Sequence, residues 1–320
     1  MEVSMNNITS DSSRVTYGKT LLEMGRRNPN VVACDADMSM DTSEFLAREF
    51  PGRQVDVGIA EQNLMNVAIG IAATGKLVYA NTYSAFASMR ACEQVRTFAC
   101  YPNINLRVIA GHGGLTPGTD GPTHQTTEDM GIMRTIPNMC VIMPADNNAT
   151  RALLFKTMDW KGPLFFRLVK GFLPDVYDEN ETFEIGKGKI VREGADVSLI
   201  ANGDMLYYSL QAAEKLAEQG IQARVVDMHT IKPLDKELVL DCCAKTGAIV
   251  TVEDHSIYNG LGSAVAEIIA EEKPTPFKRV GVNDTFAESG EFEELLAKYG
   301  LSTDDIVKAA CYVIAKKQKQ

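Results

Sequence analysis

A chain of 320 residues, 45% of them hydrophobic, is long enough to bury a large core and, at ordinary domain size, to form two domains rather than a disordered or fibrous polymer. No stretch reaches the apolar length of a membrane span, and Met1–Ile8 lack both a basic start and a long apolar segment, so the expected setting is cytoplasmic with no membrane partner. A formal net charge of −10 argues against non-specific binding to nucleic acid, and it requires local cations wherever an anionic substrate is held.

In chain order, short apolar runs at 31–34, 55–57, 77–79, 106–109, 139–143 and 164–166 alternate with longer amphipathic segments. That rhythm predicts a mainly parallel sheet flanked by helices, with helices over 62–74 and 84–99. Gly111 to Gln125, rich in Gly, Pro and Thr, reads as a long loop on which a site can be built. Near Glu184 the rhythm restarts: strands over 196–201, 223–226 and 248–252 alternate with helices over 205–219, 236–245 and 262–272. The expectation is an α/β protein of two domains, 1–180 and a smaller 190–320, with 171–190 as linker. The seven cysteines, at 34, 92, 100, 140, 242, 243 and 311, form no CxxC pair and read as reduced thiols, mostly buried. Gly260-Leu-Gly262 lacks the full dinucleotide fingerprint and reads as a tight helix entry. His229 and His255 are given no chemistry.

Glu61, in Val55-Asp-Val-Gly-Ile-Ala-Glu-Gln-Asn63, falls at the mouth of the first of these helices. An acid there is favoured by the helix dipole alone. Its neighbours Val57, Ile59, Leu64 and Met65 would surround the carboxylate with apolar groups, an environment that favours the protonated acid and suits proton transfer.

Four further strings accompany it: Thr82-Tyr-Ser-Ala-Phe86, leading into Arg90-Ala-Cys-Glu-Gln-Val-Arg96; Asp120-Gly-Pro-Thr-His-Gln125; Val226–Asp235; and Val252–Gly262. Together with Gly58–Asn63 they resemble the transketolase family, in particular the C-terminal subunit of split bacterial transketolases. The resemblance covers nearly the whole chain and implies a thiamine-diphosphate-binding fold for the pyrimidine domain, followed by a transketolase C-terminal-like domain. It gives Glu61 the task of hydrogen-bonding N1′ of the cofactor's aminopyrimidine, so that the 4′-nitrogen can take the proton from C2 of the thiazolium. It implies that Phe86 stacks on the pyrimidine, that Tyr83, where the family more often has Phe, supports it, and that Asp37 lies near the cofactor. Asp37 reads equally well as a strand-end turn residue. His112 and His124 would face the sugar, Asp120 would accept hydrogen bonds from its hydroxyls, and Arg167 would grip a substrate phosphate. Asp41 stands where related chains often carry Ser close to the substrate.

The family's Gly-Asp-Gly and Asn motif for magnesium is missing, and Asn202-Gly-Asp204 and Asn147-Asn148 carry fragments of it in the wrong order, so no metal ligand is assigned to this chain. The resemblance therefore implies half a site. Mg²⁺ and the diphosphate would be held by an N-terminal transketolase subunit carrying the pyrophosphate-binding domain, in an assembly with two copies of each chain. The implied reaction moves a two-carbon ketol unit from a ketose phosphate to an aldose phosphate. A subunit resembling 1-deoxyxylulose-5-phosphate synthase or a 2-oxo-acid dehydrogenase beta chain, acting on pyruvate, is the second reading. His112, Asp120 and His124 weigh against it, because a polyhydroxylated sugar needs more polar partners than pyruvate does. The third reading is a non-catalytic assembly or regulatory protein that has kept the fold.

Overall fold

A computed structural model describes residues 11–319; the opening segment Met1–Ile8, read above for its lack of a leader, lies outside them. The apolar runs of the first half form strands β1 (Val31–Asp35), β2 (Gln54–Asp56), β3 (Leu77–Tyr83), β4 (Leu106–Gly111), β5 (Cys140–Ile142) and β6 (Leu164–Arg167). They pair in parallel in the order β5-β6-β4-β3-β1-β2. β1, β4, β5 and β6 are buried along their whole length, as helices on both faces of a parallel sheet require, which explains why they read as continuous apolar runs.

The second half builds a five-stranded sheet from β7 (Lys189–Arg192), β8 (Val197–Ala201) and β9 (Ala223–Asp227), together with two later strands. One short strand of this half, β10 (Thr230–Lys232), crosses over and pairs antiparallel with β5, so the first sheet has seven strands. The later strands, β11 (Ile249–Ser256) and β12 (Phe277–Val282), complete the order β12-β11-β8-β9-β7. The segment 171–190 is not a free linker. The amides of Val176 and Tyr177 donate to Asp146 Oδ2, and the Tyr177 hydroxyl donates to Asp227 Oδ2 at 2.8 Å, tying the two sheets together.

Two local differences from expectation shape the site. The helix expected over 84–99 runs as wide π-turns, Phe86–Arg90 and Val95–Cys100, around a short α-turn. The Ala91 amide reaches five residues back to the Phe86 carbonyl, and such bulges are frequent where side chains must be re-aimed. The helix expected over 62–74 spans Glu61–Ala73, and Gly58, at φ +71°, makes the turn that feeds it. The cysteines are free; five are buried and Cys92 and Cys311 half-buried. Among the described residues no helix is long and apolar enough to cross a membrane.

Candidate active site

The C-terminal ends of β1, β3 and β4 and the turn after β2 open on one side of the first sheet, the position where parallel α/β sheets expose ligand-binding loops. Glu61 enters from the helix mouth and is buried, 3% exposed. Its surroundings are only partly those expected. Leu64 and Met65 are fully buried beneath it, but Val57 is half-buried and Ile59 turns out to solvent at 75% exposure. The polar neighbour is Arg90, whose Nη1 donates to Glu61 Oε2 at 2.8 Å. The same guanidinium lies 4.1 Å above the Phe86 ring, so one cation caps both the carboxylate and the aromatic face.

From Phe86 a continuous aromatic patch runs to the two histidines. Ring centroids are 5.6 Å apart for Tyr83 and Phe86, 5.3 Å for Phe86 and His124, 5.2 Å for Tyr83 and His124, and 4.4 Å for Tyr83 and His112. Residues 63 positions apart in the chain, from Glu61 to His124, thus share one surface. Tyr83 ends β3, and His112 follows β4, its neighbour in the sheet. His112 holds a left-handed backbone at φ +61°, uncommon for a residue with a side chain. Burial pushes its imidazole down to about 4, helped by the positive charges of Lys170 and Arg14. The ring is therefore neutral near pH 7, and its Nδ1 has no hydrogen-bond partner within the described residues. His124 is half-buried, with Nδ1 3.0 Å from the Thr123 hydroxyl.

Two ion pairs border the histidines. Lys170 Nζ contacts Asp120 Oδ2 at 2.7 Å, and Arg14 Nη2 contacts Asp41 Oδ2 at 3.0 Å, all four side chains being partly exposed. Asp41 thus partners a cation whose charge is felt at His112.

The expectation for Arg167 is corrected. It is fully buried between the two halves of the chain, with Nε 2.8 Å from Asp129 Oδ2, while Nη2 donates to the Asp254 carbonyl at 2.9 Å. A guanidinium so enclosed cannot reach a substrate phosphate; the accessible cations bordering the histidines include Lys170, three residues later, and Arg14. Asp37 sits just past the end of β1, in the turn that its second reading describes. It is exposed in a left-handed turn at φ +56°, its amide donating to Asp56 Oδ1, and the buried carboxylate of this segment is Asp35, held by Asn81 and Ser43. Burial pushes Asp35 up to about 6 against those hydrogen bonds. His255 is internally satisfied: Nε2 accepts from the Gly131 amide at 3.1 Å, and Nδ1 lies 2.7 Å from the Ser256 carbonyl.

Sequence reasoning passed over Arg90, Lys170, Arg14, Asp129 and Asp254. Arg90 was legible, four residues after Phe86 in a helical pattern and so on the same face. Lys170 carries the weaker signal of a cation just beyond a strand's C-terminal end.

A family model described as transketolase, pyrimidine binding domain, matches residues 12–175, and one described as transketolase, C-terminal domain, matches residues 186–306. A Methanocaldococcus jannaschii chain named for the C-terminal section of transketolase is 45% identical over 299 residues, covering 92% of this chain and 94% of its own. The 6-deoxy-6-sulfo-D-fructose transketolase subunit of a Clostridium species is 42% identical over 305 residues, covering 95% of each chain. A solved structure described as a split gene transketolase, inactive beta4 tetramer, matches with a TM-score of 0.90 at 45% identity, over 96% of this chain and 99% of that one.

Proposed function

The chain belongs to the transketolase family, and from that premise we propose that it is the pyrimidine-binding subunit of a two-chain cytoplasmic transketolase. The proposed reaction moves a two-carbon ketol unit from a ketose phosphate to an aldose phosphate. The observation that carries the reading is one uninterrupted surface holding a buried carboxylate, Glu61, a half-buried aromatic face, Phe86 and Tyr83, and two histidines beyond it.

Thiamine diphosphate fits these residues. Glu61 is a buried carboxylate above Leu64 and Met65, and the half-buried rings of Phe86 and Tyr83 share its patch, a set of groups that suits a planar aminopyrimidine. When bound, that cofactor supplies a carbon nucleophile able to carry a two-carbon fragment between sugars. Glu61 would hold the pyrimidine ring nitrogen by a hydrogen bond, and Arg90 keeps the carboxylate oriented while covering one face of Phe86. Neutral His112, stacked beside Tyr83 in the same patch, hydrogen-bonds substrate hydroxyls. His124, on the far side of Tyr83, does the same from the solvent side. Asp120 accepts from hydroxyls, and Lys170 and Arg14 give the anionic end of the sugar its positive partners, the role first given to Arg167.

Among the described residues no group of three His, Cys, Asp or Glu could hold a metal ion. In this reading Mg²⁺ and the diphosphate belong to an N-terminal subunit carrying the pyrophosphate-binding domain, in an assembly of two copies of each chain. Relatives described as a C-terminal section and as a split-gene tetramer that is inactive support the need for a second chain.

The test mixes the chain with its partner, magnesium and thiamine diphosphate and measures ketol transfer from phosphorylated and sulfonated ketoses. Transfer by the wild type and its loss in Glu61→Ala are expected. No transfer with a verified partner, or full activity in Glu61→Ala, would overturn the reading. Release of carbon dioxide from pyruvate would instead place the chain with the pyruvate-using relatives.

A further inference from the structure

We infer that Asp254, contributed by the second half of the chain, is a positioning residue that fixes the histidine-bearing loop 111–125 for catalysis. Leu115, three residues after His112 and five before Asp120, donates its amide to both oxygens of Asp254, at 2.9 and 3.1 Å. The carboxylate is fully buried at the C-terminal end of β11, and a side chain at Gly114 would overlap it. Arg167 then locks the same point from below, donating to the Asp254 carbonyl and, at 3.3 Å, to the Thr126 carbonyl. Thr126 and Gly114 exchange two backbone hydrogen bonds, which close the loop on itself where Asp254 holds it.

The loop has little preference of its own. Gly113, Gly114, Gly118 and Gly121 leave its backbone free, so its position is set by whatever anchors it. Farther along, the second half of the chain supplies neutral contacts: the Glu288 carbonyl accepts from Gln125 Nε2 at 3.0 Å, and Ser289 packs against Gly121. Asp254 is the fully buried anchor, and an unsatisfied polar group at that depth is costly, so its carboxyl is held to the Leu115 amide while the Arg167 guanidinium fixes its backbone carbonyl. The left-handed backbone of His112 is held from both sides, by β4 before it and by the Gly113 amide donating to the Leu168 carbonyl at 2.9 Å, with the Leu115 anchor next in line. Releasing Leu115 lets His112 leave that conformation and turns the sugar-facing histidines away together.

The catalytic consequence rests on the proposed function, but the geometry can be tested without it. The four histidines allow imidazole titration by NMR on the full chain. In Asp254→Ala the His112 pKa is expected to rise from about 4 towards the ordinary 6.5, while His229, also held at about 4 but buried at the β10 crossover, stays put and reports an intact fold. Asp254→Asn, which keeps one acceptor oxygen, is expected to restore the wild-type value. An unchanged His112 in Asp254→Ala with His229 also unchanged would overturn the inference. Should the alanine variant fail to fold, wild-type hydrogen exchange decides: the Leu115 amide is expected to exchange at least about a hundredfold more slowly than the exposed Thr119 and Thr123, and equal rates would overturn it. In the reconstituted enzyme Asp254→Ala is expected to lower kcat by up to about a hundredfold, with recovery in Asp254→Asn. A shifted His112 with unchanged kcat would refute positioning for catalysis, whereas no ketol transfer by the wild type would count against the proposed function and leave the NMR result to judge the loop.

Discussion

Replacing Arg167 by Met separates a buried clamp from a substrate grip. The guanidinium is wholly enclosed, paired with Asp129, bonded to the Asp254 and Thr126 carbonyls, and surrounded by Asp204, Glu253 and Asp254. Met fills similar volume but leaves Asp129 without its cation, and breaking a buried pair on one side costs about 3–5 kcal/mol. For a domain of this size that corresponds to a fall in Tm on the order of 6–20 °C. The double variant R167M/D129N removes both charges and is expected to regain more than about 1 kcal/mol of the loss, since an uncompensated charge is then no longer buried. The pH dependence has a definite sign. Burial pushes Asp204 up to about 6 and raises Glu253 and Asp254, against the pull of Arg167, so these acids bind protons more tightly folded than unfolded. Their contribution is lost as pH rises through the folded pKa, and without Arg167 that loss deepens, so R167M should be hurt more at pH 8 than at pH 5. Urea and thermal unfolding across this range are the assays. An unchanged Tm, together with a tenfold rise in KM for a phosphorylated sugar, would refute the buried-clamp reasoning.

Phe86→Ala removes the ring between Glu61 and His124 and is expected to weaken thiamine diphosphate binding by the reconstituted pair about three- to tenfold, measured by calorimetry. Asp41→Ser frees Arg14 from its exposed ion pair; KM for a phosphorylated substrate is expected to fall no more than about fivefold, with a steeper salt dependence. His112 and His229, both pushed down to about 4 by burial, stay neutral in the folded state while the unfolded chain takes up protons below 6.5. The contribution of these two histidines to stability should therefore fall between about pH 6.5 and 4, opposite in sign to that of the buried acids, and His112→Gln should make stability at the acid end up to about 3 kcal/mol less unfavourable relative to the neutral end in urea titrations.

The alternation of apolar runs made the two α/β halves readable, because strands buried on both faces cannot hide their composition. Glu61, Phe86, Tyr83, His112 and His124 were legible as ordered strings, and the fold brings them into one surface. What sequence could not carry was long-range placement. β10 belongs by position to the second half, but its hydrogen bonds go to β5, and no local pattern encodes that crossover. Arg167 reads as a strand-end cation, and only the docking of β11 and the helix Asp129–Thr135 on it decides that it faces inward. Asp254 was visible in Glu253-Asp-His, yet its partner Leu115 lies 139 residues away. Ile59 shows the opposite error, an apolar neighbour of Glu61 in sequence that turns out to solvent when Gly58 bends the chain.

The central claim is that Glu61 activates a cofactor shared with another chain, and the most direct measurement is hydrogen–deuterium exchange at C2 of thiamine diphosphate in the reconstituted pair. The expected result is a fall of about a hundredfold or more in Glu61→Gln, the range set by losing a positioned acid or base, with the cofactor still bound. Equal exchange in wild type and Glu61→Gln, at equal cofactor occupancy, would contradict the role given to this carboxylate.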